Sequence, residues 1–468
     1  MVKKGEELSV DILSLNSEGK GISKTDEGFV VFSEKTLPGD RAIVRILRKK
    51  PNYAEAVLQK IEIPSVYRTD PPCLHFGVCG GCKIQNYDYG QQLKFKRNVV
   101  KDAFERIGKF EGIKIPDTVS SERTFYYRNK MEFSFSDDEW MTEVNSGIEK
   151  GNFALGLHVP KFHSKILRID RCFLQSELSN GILNFTGNFF KSRNIPVYST
   201  RTNSGFLRFL IIRQSFNTED LMVNLITYDY DERLMQEYTS SLISEFQSVT
   251  TVINSVSEKK AQVATGEKEI VLYGSGYITE ILKRGIKNFS FRISPQSFFQ
   301  TNTLQAEKLF NIVTEFADFG NEDNVLDLYC GTGSISLFIS DLVNTVTGAE
   351  LIQDSVIDAV RNAELNRADN CRFICTDIRD FLLNKSENDN YDKLILDPPR
   401  AGLHPEICRI LSETKFTKML YVSCNPHTQA RDLQIICSRD NYKIDRIQPV
   451  DMFPHTYHVE NVVSLSVK

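Results

Sequence analysis

The sequence lacks long hydrophobic runs and any excess of positive charge. No stretch approaches the ~18 to 20 apolar residues of a membrane span, and the amino terminus, MVKKGEELSV, has no apolar core of a signal peptide. Low-complexity segments and internal repeats are also missing. At 468 residues, 41% of them apolar and 25% charged, the chain has a globular composition and is long enough for two or three domains. These features predict a multidomain cytoplasmic protein.

With a formal net charge of −4, the chain does not have the overall excess of Lys and Arg that marks many RNA-binding proteins. Three local runs are nevertheless basic: RILRKK (45–50), KFKRNVVK (94–101) and YYRNKMEFSF (126–135), the last of which alternates basic and aromatic residues. A single run of this kind is usually a solvated face. The three runs therefore count only in combination with other signs of nucleic-acid binding.

Patterning divides the chain into three parts. Residues 1–62 alternate short apolar runs with turn signals, which predicts four or five antiparallel strands in a small OB-like β-barrel. The segment IPSVYRTDPP, with its three prolines, marks a boundary. Residues 63–290 mix helix-like and strand-like patches and predict a mixed α/β middle domain. From 291 to 468, strands alternate with helices, which predicts a parallel sheet built from βαβ units.

The segment NVLDLYCGTGSISLFIS (324–340) reads as a buried strand, a glycine turn and the start of a helix. Open α/β sheets bind ligands at this end of a strand. The turn lacks the three spaced glycines of a dinucleotide site and no basic residue follows, which favours a cationic nucleoside without phosphate, such as S-adenosylmethionine. Glu350 and Asp377 end the next two strands, where they suit the ribose hydroxyls and the adenine. The carboxyl-terminal part is therefore predicted to be a class I Rossmann-like methyltransferase domain.

Two further strands end in DPPR (397–400) and in YVSCNP (421–426). A D/N-P-P turn places a rigid loop against the target base in many nucleic-acid methyltransferases. Enzymes that methylate amino groups continue with Tyr or Phe, so Arg400 counts against that reaction. An isolated cysteine is usually a small buried hydrophobe, but Cys424 ends a strand between DPPR and HVE (458–460), which makes it a candidate nucleophile.

The motifs SPQSFFQTN, DLYCGTG, LDPPRAGL, VSCNP and MFPHTYHVE occur in this order, and with them the chain resembles the RumA/TrmA family of RNA uracil-5-methyltransferases over its whole length. The resemblance implies a TRAM-like barrel at the amino terminus, Cys424 as the nucleophile and Glu460 as the base. It also implies a pocket for S-adenosylmethionine and substrate lined by Gln300, Tyr329, Glu350, Asp377 and Asp397.

These residue types suit the implied reaction. Carbon 5 of uracil is a poor nucleophile, and addition of a thiolate to carbon 6 turns the ring into an enolate that can attack a sulfonium methyl. A carboxylate such as Glu460 can then remove the proton from carbon 5. A free thiol with a pKa of ~8.5 is a few per cent ionised at neutral pH, so ionisation supplies at most ~2 kcal/mol. The positioning of Cys424 must supply more.

A second group of cysteines lies in CLHFGVCGGCKIQ (73–85), where Cys73, Cys79 and Cys82 follow a C-x5-C-x2-C pattern. Spacing alone leaves structural zinc and an iron-sulfur cluster both open. The family resemblance supports a 4Fe-4S cluster with Cys172 as the fourth ligand. The remaining cysteines lie among apolar residues and are expected to pack in the core: Cys330, Cys371, Cys375, Cys408 and Cys437.

The resemblance also bears on the substrate. Members that act on tRNA generally lack both the barrel and the cluster, whereas enzymes of large-subunit rRNA carry them, so 23S rRNA is predicted ahead of tRNA. One alternative is an RNA cytosine-5-methyltransferase, which would need an acid against ring nitrogen 3 and usually a second cysteine. Another is a non-catalytic iron-sulfur RNA-binding protein, against which Cys424 and Glu460 argue. The chain is expected to be a monomer.

Overall fold

The computed structural model describes residues 2–141, 151–384 and 390–468. The strands are β1 Glu7–Asp11, β2 Ser14–Leu15, β3 Gly21–Lys24, β4 Val30–Glu34, β5 Arg41–Lys49, β6 Tyr53–Ile63, β7 Lys130–Ser136, β8 Ala154–Val159, β9 Phe162–Arg168, β10 Leu207–Gln214, β11 Leu221–Thr227, β12 Thr251–Val256, β13 Lys268–Tyr273, β14 Ile278–Arg284, β15 Lys287–Ile293, β16 Asn324–Leu328, β17 Thr345–Glu350, β18 Cys371–Cys375, β19 Lys393–Leu396, β20 Lys418–Ser423, β21 Tyr442–Val450 and β22 Glu460–Val467. The helices are α1 Tyr89–Asp102, α2 Glu177–Ser192, α3 Glu232–Glu245, α4 Thr303–Ala317, α5 Ser334–Ile339, α6 Gln353–Asn366, α7 Ile378–Leu383, α8 Pro405–Glu413 and α9 Pro426–Ile436.

The amino-terminal barrel is built from a six-stranded sheet in the order β1-β5-β6-β4-β3-β2. Alternate side chains of β5, namely Ala42, Val44 and Ile46, are buried in its core, as the period of two in a strand requires. The prediction of four or five antiparallel strands was wrong in two respects, since there are six strands and β4 pairs parallel to β6. After β4 the chain skips one position in the sheet and forms β5. Strand β6 then fills the position between them, antiparallel to β5 and therefore parallel to β4.

The middle domain contains a seven-stranded sheet in the order β13-β12-β11-β10-β7-β8-β9. Its strands pair antiparallel except for β11 and β12. Helices α2 and α3 pack on it through a core that includes Phe190, Met235 and Tyr238. Strands β10 and β11 are almost wholly buried, as expected of central strands with elements on both faces. The predicted mixed α/β architecture is confirmed.

The carboxyl-terminal sheet has the order β18-β17-β16-β19-β20-β22-β21. The five strands β16 to β20 are all parallel to one another. Strand β22 lies between β20 and β21 and is antiparallel to both. The direction of winding reverses between β16 and β19, and doubly wound sheets bind ligands in the crevice at that point. The predicted Rossmann-like domain is confirmed, and Tyr329, Glu350 and Asp397 lie at or directly after the carboxyl ends of its parallel strands.

Two elements outside this sheet pack with it. Helix α1 buries Phe95, Val99 and Val100 in the same core as residues of β16, β19 and β20. The hairpin of β14 and β15 packs against α4. The Lys96 ammonium of α1 is fully buried and lies 2.5 Å from the carboxylate of Asp451, the first residue after β21. The buried ion pair therefore anchors the start of the segment that leads to β22.

Burial tests the expected packing of the remaining cysteines. Cys330 and Cys408 are buried as predicted, and Cys371 and Cys437 are half-buried. Cys375 is exposed, so the expectation that it packs in the core was wrong. It ends β18, an edge strand of the sheet, and such a strand has a neighbour on one side only.

In the described ranges, no helix combines the length and the apolar character needed to cross a membrane.

Candidate active site

The turn after β16 borders the crevice at the switch point of the sheet, which is the candidate cofactor cleft. Tyr329, Gly331 and Gly333 all have positive φ angles, of 65°, 55° and 77°. The Tyr329 backbone N–H donates to the Ala349 carbonyl at 2.9 Å, and the Gly331 N–H donates to Glu350 Oε2 at 3.2 Å. A Cβ atom added to Gly331 would have no neighbour within 4 Å. The turn therefore exposes its backbone to open space at the switch point of the sheet.

Three carboxylates surround this space at the ends of successive strands. Asp327 Oδ2 accepts from Ser336 Oγ at 2.5 Å, while Asp327 Oδ1 is buried and has no hydrogen-bond partner among the described residues. Burial raises the pKa of Asp327 to about 7. Glu350 also accepts from the Ile352 N–H, and Asp377 Oδ1 caps α7. A buried carboxyl oxygen without a partner, beside the glycine turn, fits a ligand that brings hydrogen-bond donors, such as S-adenosylmethionine.

The loop that carries Gln300 closes one side of the cleft. The Phe298 carbonyl accepts from Thr332 Oγ1 at 3.4 Å, which joins this loop to the glycine turn. The Gln300 carbonyl accepts a hydrogen bond from Asn129 Nδ2 at 3.0 Å. Gln300 is half-buried. The structure thus places the backbone of Gln300 between the cleft and the middle domain.

Cys424 and Glu460 are brought together by strand register. Ser423 lies opposite Asn461 in the antiparallel pair of β20 and β22, so Cys424 and Glu460 are the next residues along the two chains. Asn425 caps α9 by accepting from the His427 N–H at 3.1 Å. Cys424 therefore immediately precedes the positive end of a helix, where a thiolate is favoured.

Charges in this pocket perturb one another. The pKa of the Cys424 thiol is raised to about 11, mainly by burial and then by Glu460, while Arg400 opposes the rise as a charge and a hydrogen-bond donor. The pKa of Glu460 is raised to about 8 by burial and by Asp397, and Arg400 again lowers it. The pKa of Asp397 is raised to about 7 by burial and by Asp327. At neutral pH, Cys424 and Glu460 are therefore mainly protonated.

Sequence reasoning missed several residues around Cys424. A cavity of about 210 Å³ is lined by Cys424, Arg400 and His458, and also by Ser17 from the barrel and Val99 from α1. The Arg400 guanidinium lies 3.2 Å from His458 Nδ1. Burial, followed by the charge of Arg400, lowers the pKa of His458 to about 4, so this ring is neutral at pH 7 and can accept from Arg400. Arg400 was visible in DPPR, but Ser17 and Val99 carry no local signal.

His455 has a structural place beside this cavity. Its ring stacks on Phe125 with centroids 4.4 Å apart and lies 3.2 Å from Gln92 Nε2 through Nδ1. Its carbonyl accepts from the N–H groups of Lys83 and Ile84. The segment before β22 is therefore hydrogen-bonded directly to the end of the cysteine loop.

The four cysteines of the second constellation line one cavity of about 560 Å³: Cys73, Cys79, Cys82 and Cys172. Two of the sulfurs accept hydrogen bonds, Cys79 Sγ from the Gly81 N–H at 3.3 Å and Cys82 Sγ from Gln85 Nε2 at 3.7 Å. Burial raises the pKa of Cys79 to about 11, and Cys172 and Cys73 add to the rise. In the part of the chain that the structure describes, no set of three or more His, Cys, Asp or Glu side chains is arranged to hold a metal ion.

The sheet order, the glycine turn and the acidic strand ends together define a Rossmann-like methyltransferase. Residues 215–468 match the tRNA (uracil-5-)-methyltransferase family and residues 2–58 match the TRAM domain. The chain belongs to this family of RNA (uracil-5-)-methyltransferases. The motif resemblance and the predicted TRAM-like barrel are thereby confirmed.

Relatives cover almost the whole chain. An uncharacterized RNA methyltransferase of Bacteroides thetaiotaomicron is 38% identical over 97% of this chain and 100% of its own length. One of Chlorobaculum tepidum is also 38% identical, over 98% of this chain and 96% of its own. A solved structure of Pyrococcus abyssi tRNA (uracil-54, C5)-methyltransferase in complex with S-adenosyl-L-homocysteine has a TM-score of 0.77 and 28% identity, and covers 98% of this chain and 100% of that chain.

Proposed function

We propose that the protein uses S-adenosylmethionine to methylate carbon 5 of a specific uridine in RNA through a covalent bond between Cys424 and the uracil ring. The observation that carries this proposal is the register of β20 and β22, which puts a thiol and a buried carboxyl side by side with Arg400 next to them. A cleft for the methyl donor opens at the carboxyl ends of the neighbouring strands. Thiol, carboxyl and donor site are the three groups that this chemistry requires.

Cys424 begins the reaction as the thiolate, after its thiol has released a proton to solvent. The sulfur then adds to carbon 6, which moves an electron pair of the ring towards oxygen 4. The bound donor supplies an electrophilic methyl group to carbon 5. Glu460 then removes the proton from carbon 5, and the returning electron pair expels the Cys424 thiolate. Arg400 favours both anionic forms, since it lowers the pKa of Cys424 and of Glu460. The base is ionised in a growing fraction of molecules as the pH rises towards 8.

The methyl donor would be held by groups already described. Glu350 would accept from the ribose hydroxyls and Asp377 would meet the adenine, and Asp327 Oδ1 has no partner among the described residues. The Tyr329 ring and the Gln300 loop would close the sides, and Asp397 would lie between the donor and the base. The complex of the Pyrococcus abyssi enzyme with S-adenosyl-L-homocysteine supports this assignment of the cleft.

The proposed substrate is 23S rRNA, because the barrel and the four cysteines occur together, as in the enzymes of large-subunit rRNA that this chain resembles. A second candidate is tRNA. It is favoured by the Pyrococcus abyssi structure, which covers the barrel as well as the catalytic domain and bears the name of a tRNA enzyme. We also propose that the protein acts as a monomer.

We further propose that Cys73, Cys79, Cys82 and Cys172 hold a 4Fe-4S cluster. They line one cavity, in which cluster binding would have to draw the four sulfurs closer together. Two of the sulfurs accept hydrogen bonds of the kind that tune such clusters. Anaerobic purification should yield about four irons per chain and a broad visible absorption. One equivalent of zinc in place of iron would contradict the proposal.

The function is tested with methyl-labelled S-adenosylmethionine and unmodified transcripts of 23S rRNA and of tRNA. The wild type should form 5-methyluridine in the rRNA, Cys424→Ser should lose at least ~1,000-fold in rate, and the matched control Cys437→Ser should retain activity. Labelled tRNA alone would favour the second candidate. Labelled 5-methylcytidine, or no labelled nucleoside in either RNA, would contradict uridine methylation.

A further inference from the structure

A second large cavity lies in the middle domain, outside the cavity around Cys424. Its volume is about 700 Å³, and we name it the arginine cavity after Arg123, Arg128 and Arg171, which line it together with Tyr126 and Phe216. The proposed reaction uses none of these five side chains. They coincide in part with the basic-aromatic run 126–135 that the sequence singled out.

Two of the arginines stack on aromatic rings. The Arg123 guanidinium carbon lies 4.9 Å from the centroid of Phe216, and that of Arg171 lies 4.7 Å from the centroid of Phe173. Arg171 is neutralised by Glu177 at 2.5 Å, whereas no ion pair joins Arg123 to another described residue. Arg123 is therefore an exposed cation, held flat by a ring and available to an anionic partner.

Tyr126 presents its ring in the same cavity. Its φ of 54° is unusual for a bulky residue, and such strain is maintained where surrounding contacts fix it, often at binding sites. The Tyr126 N–H donates to the Phe173 carbonyl at 2.8 Å, and its hydroxyl donates to Glu177 Oε1 at 2.9 Å. The side chain is 37% exposed. A ring fixed at both ends and open on one side is a stacking platform.

The arginine cavity is connected to the candidate active site through the segment 127–129. Arg128 lines both the arginine cavity and the cavity of the four cysteines, and its charge contributes to the lowered pKa of His458. Tyr127 donates to the Pro454 carbonyl at 3.2 Å, and Asn129 donates to the Gln300 carbonyl at 3.0 Å. The segment 127–129 thus links the arginine cavity to elements of the candidate active site.

We propose that the arginine cavity is a subsite for a nucleotide that flanks the target uridine in single-stranded RNA, with its base stacked on Tyr126 and its phosphate on Arg123. This inference rests on the proposed RNA substrate. Stacked aromatic rings beside an unneutralised arginine are the combination that binds unpaired nucleotides with little dependence on sequence. The subsite would hold the strand in place while the target base is turned towards Cys424.

The test measures binding of fluorescein-labelled oligouridylate of about 15 nucleotides by fluorescence anisotropy. The variants are Arg123→Ala and Tyr126→Ala. The matched control is Arg193→Ala, which removes an arginine that stacks on Phe189 at 3.7 Å and does not line the arginine cavity. Circular dichroism and binding of S-adenosylhomocysteine verify that each variant is folded.

We expect the Kd to rise about fivefold or more for Arg123→Ala and for Tyr126→Ala, and less than twofold for Arg193→Ala. For Arg123→Ala alone, the slope of log Kd against the logarithm of the salt concentration should fall by about the amount expected for one phosphate contact. Equal affinities in all three variants, or an equal loss in the control, would overturn the inference. Binding of this probe needs no methyl transfer, so failure of the proposed function would appear separately, as the absence of 5-methyluridine in the methylation assay of the wild type.

Discussion

Glu460→Gln should flatten the dependence of protein stability on pH. Glu460 is buried, and its pKa rises from the ordinary 4.5 to about 8, chiefly through burial. The native state therefore keeps this proton up to about pH 8, whereas the unfolded chain releases it near 4.5. Because the native state binds more protons in this window, the free energy of unfolding that Glu460 contributes is fully present below pH 4.5 and declines as the pH rises. Between pH 5 and pH 8 the decline amounts to about 3 kcal/mol.

The measurement is urea unfolding followed by far-ultraviolet circular dichroism at four pH values from 5 to 8. Tryptophan fluorescence would not serve, since the single tryptophan, Trp140, lies in the middle domain. Glu460→Gln removes the titrating group. The free energy of unfolding of the variant, relative to that of the wild type, should therefore increase by about 3 kcal/mol between pH 5 and pH 8. The control Glu413→Gln changes an exposed carboxylate paired with Arg439 and should stay within about 0.5 kcal/mol of the wild type throughout. Parallel curves for the wild type and Glu460→Gln would refute the reasoning.

Three further predictions concern the supports of the site. Lys96→Met should destabilise the protein by about 3 to 5 kcal/mol in urea unfolding, because it leaves the Asp451 carboxylate buried without its partner; no loss would contradict the anchoring role. Gly333→Ala should weaken binding of S-adenosylhomocysteine at least tenfold by calorimetry, since φ is 77° and the new Cβ would lie 2.9 Å from a ring of β18; unchanged affinity would exclude this turn from the cleft. Arg400→Gln should raise the pKa of Cys424 and slow its alkylation by iodoacetamide at pH 8 severalfold, and an unchanged rate would contradict the role of Arg400.

Much of the carboxyl-terminal domain was predictable because its signals are local. The segment QDSVIDAVRNAELN coincides with α6, and the acids at strand ends fall where the parallel sheet gathers them. The apolar runs that approach Asp327, Asp397 and Cys424 are central strands, so their ends meet at one edge. The pairing of Cys424 with Glu460 follows once β22 is inserted beside β20. Motif resemblance, rather than patterning, pointed to that pair.

The rest depends on contacts distant in sequence. Ser17 reaches the cavity of Cys424 from a turn of the barrel, and Val99 reaches it from a helix that looks like an ordinary amphipathic element. The Lys96 side chain lies in the basic run 94–101, which reads as a solvated face, yet its ammonium is buried against Asp451 more than 350 positions away. Neither hydrophobic period nor spacing carries such information, because it arises only when the domains pack.

The central claim is the bond between the Cys424 sulfur and the uracil ring. RNA containing 5-fluorouridine at the target position cannot lose a proton from carbon 5, so the reaction should stop after methylation with enzyme and RNA joined. Incubation with S-adenosylmethionine, nuclease digestion and peptide mass spectrometry should identify Cys424 as the only cysteine carrying a methylated fluorouridine, with no adduct in Cys424→Ser. An adduct on another cysteine, or turnover by Cys424→Ser at the wild-type rate, would contradict the account.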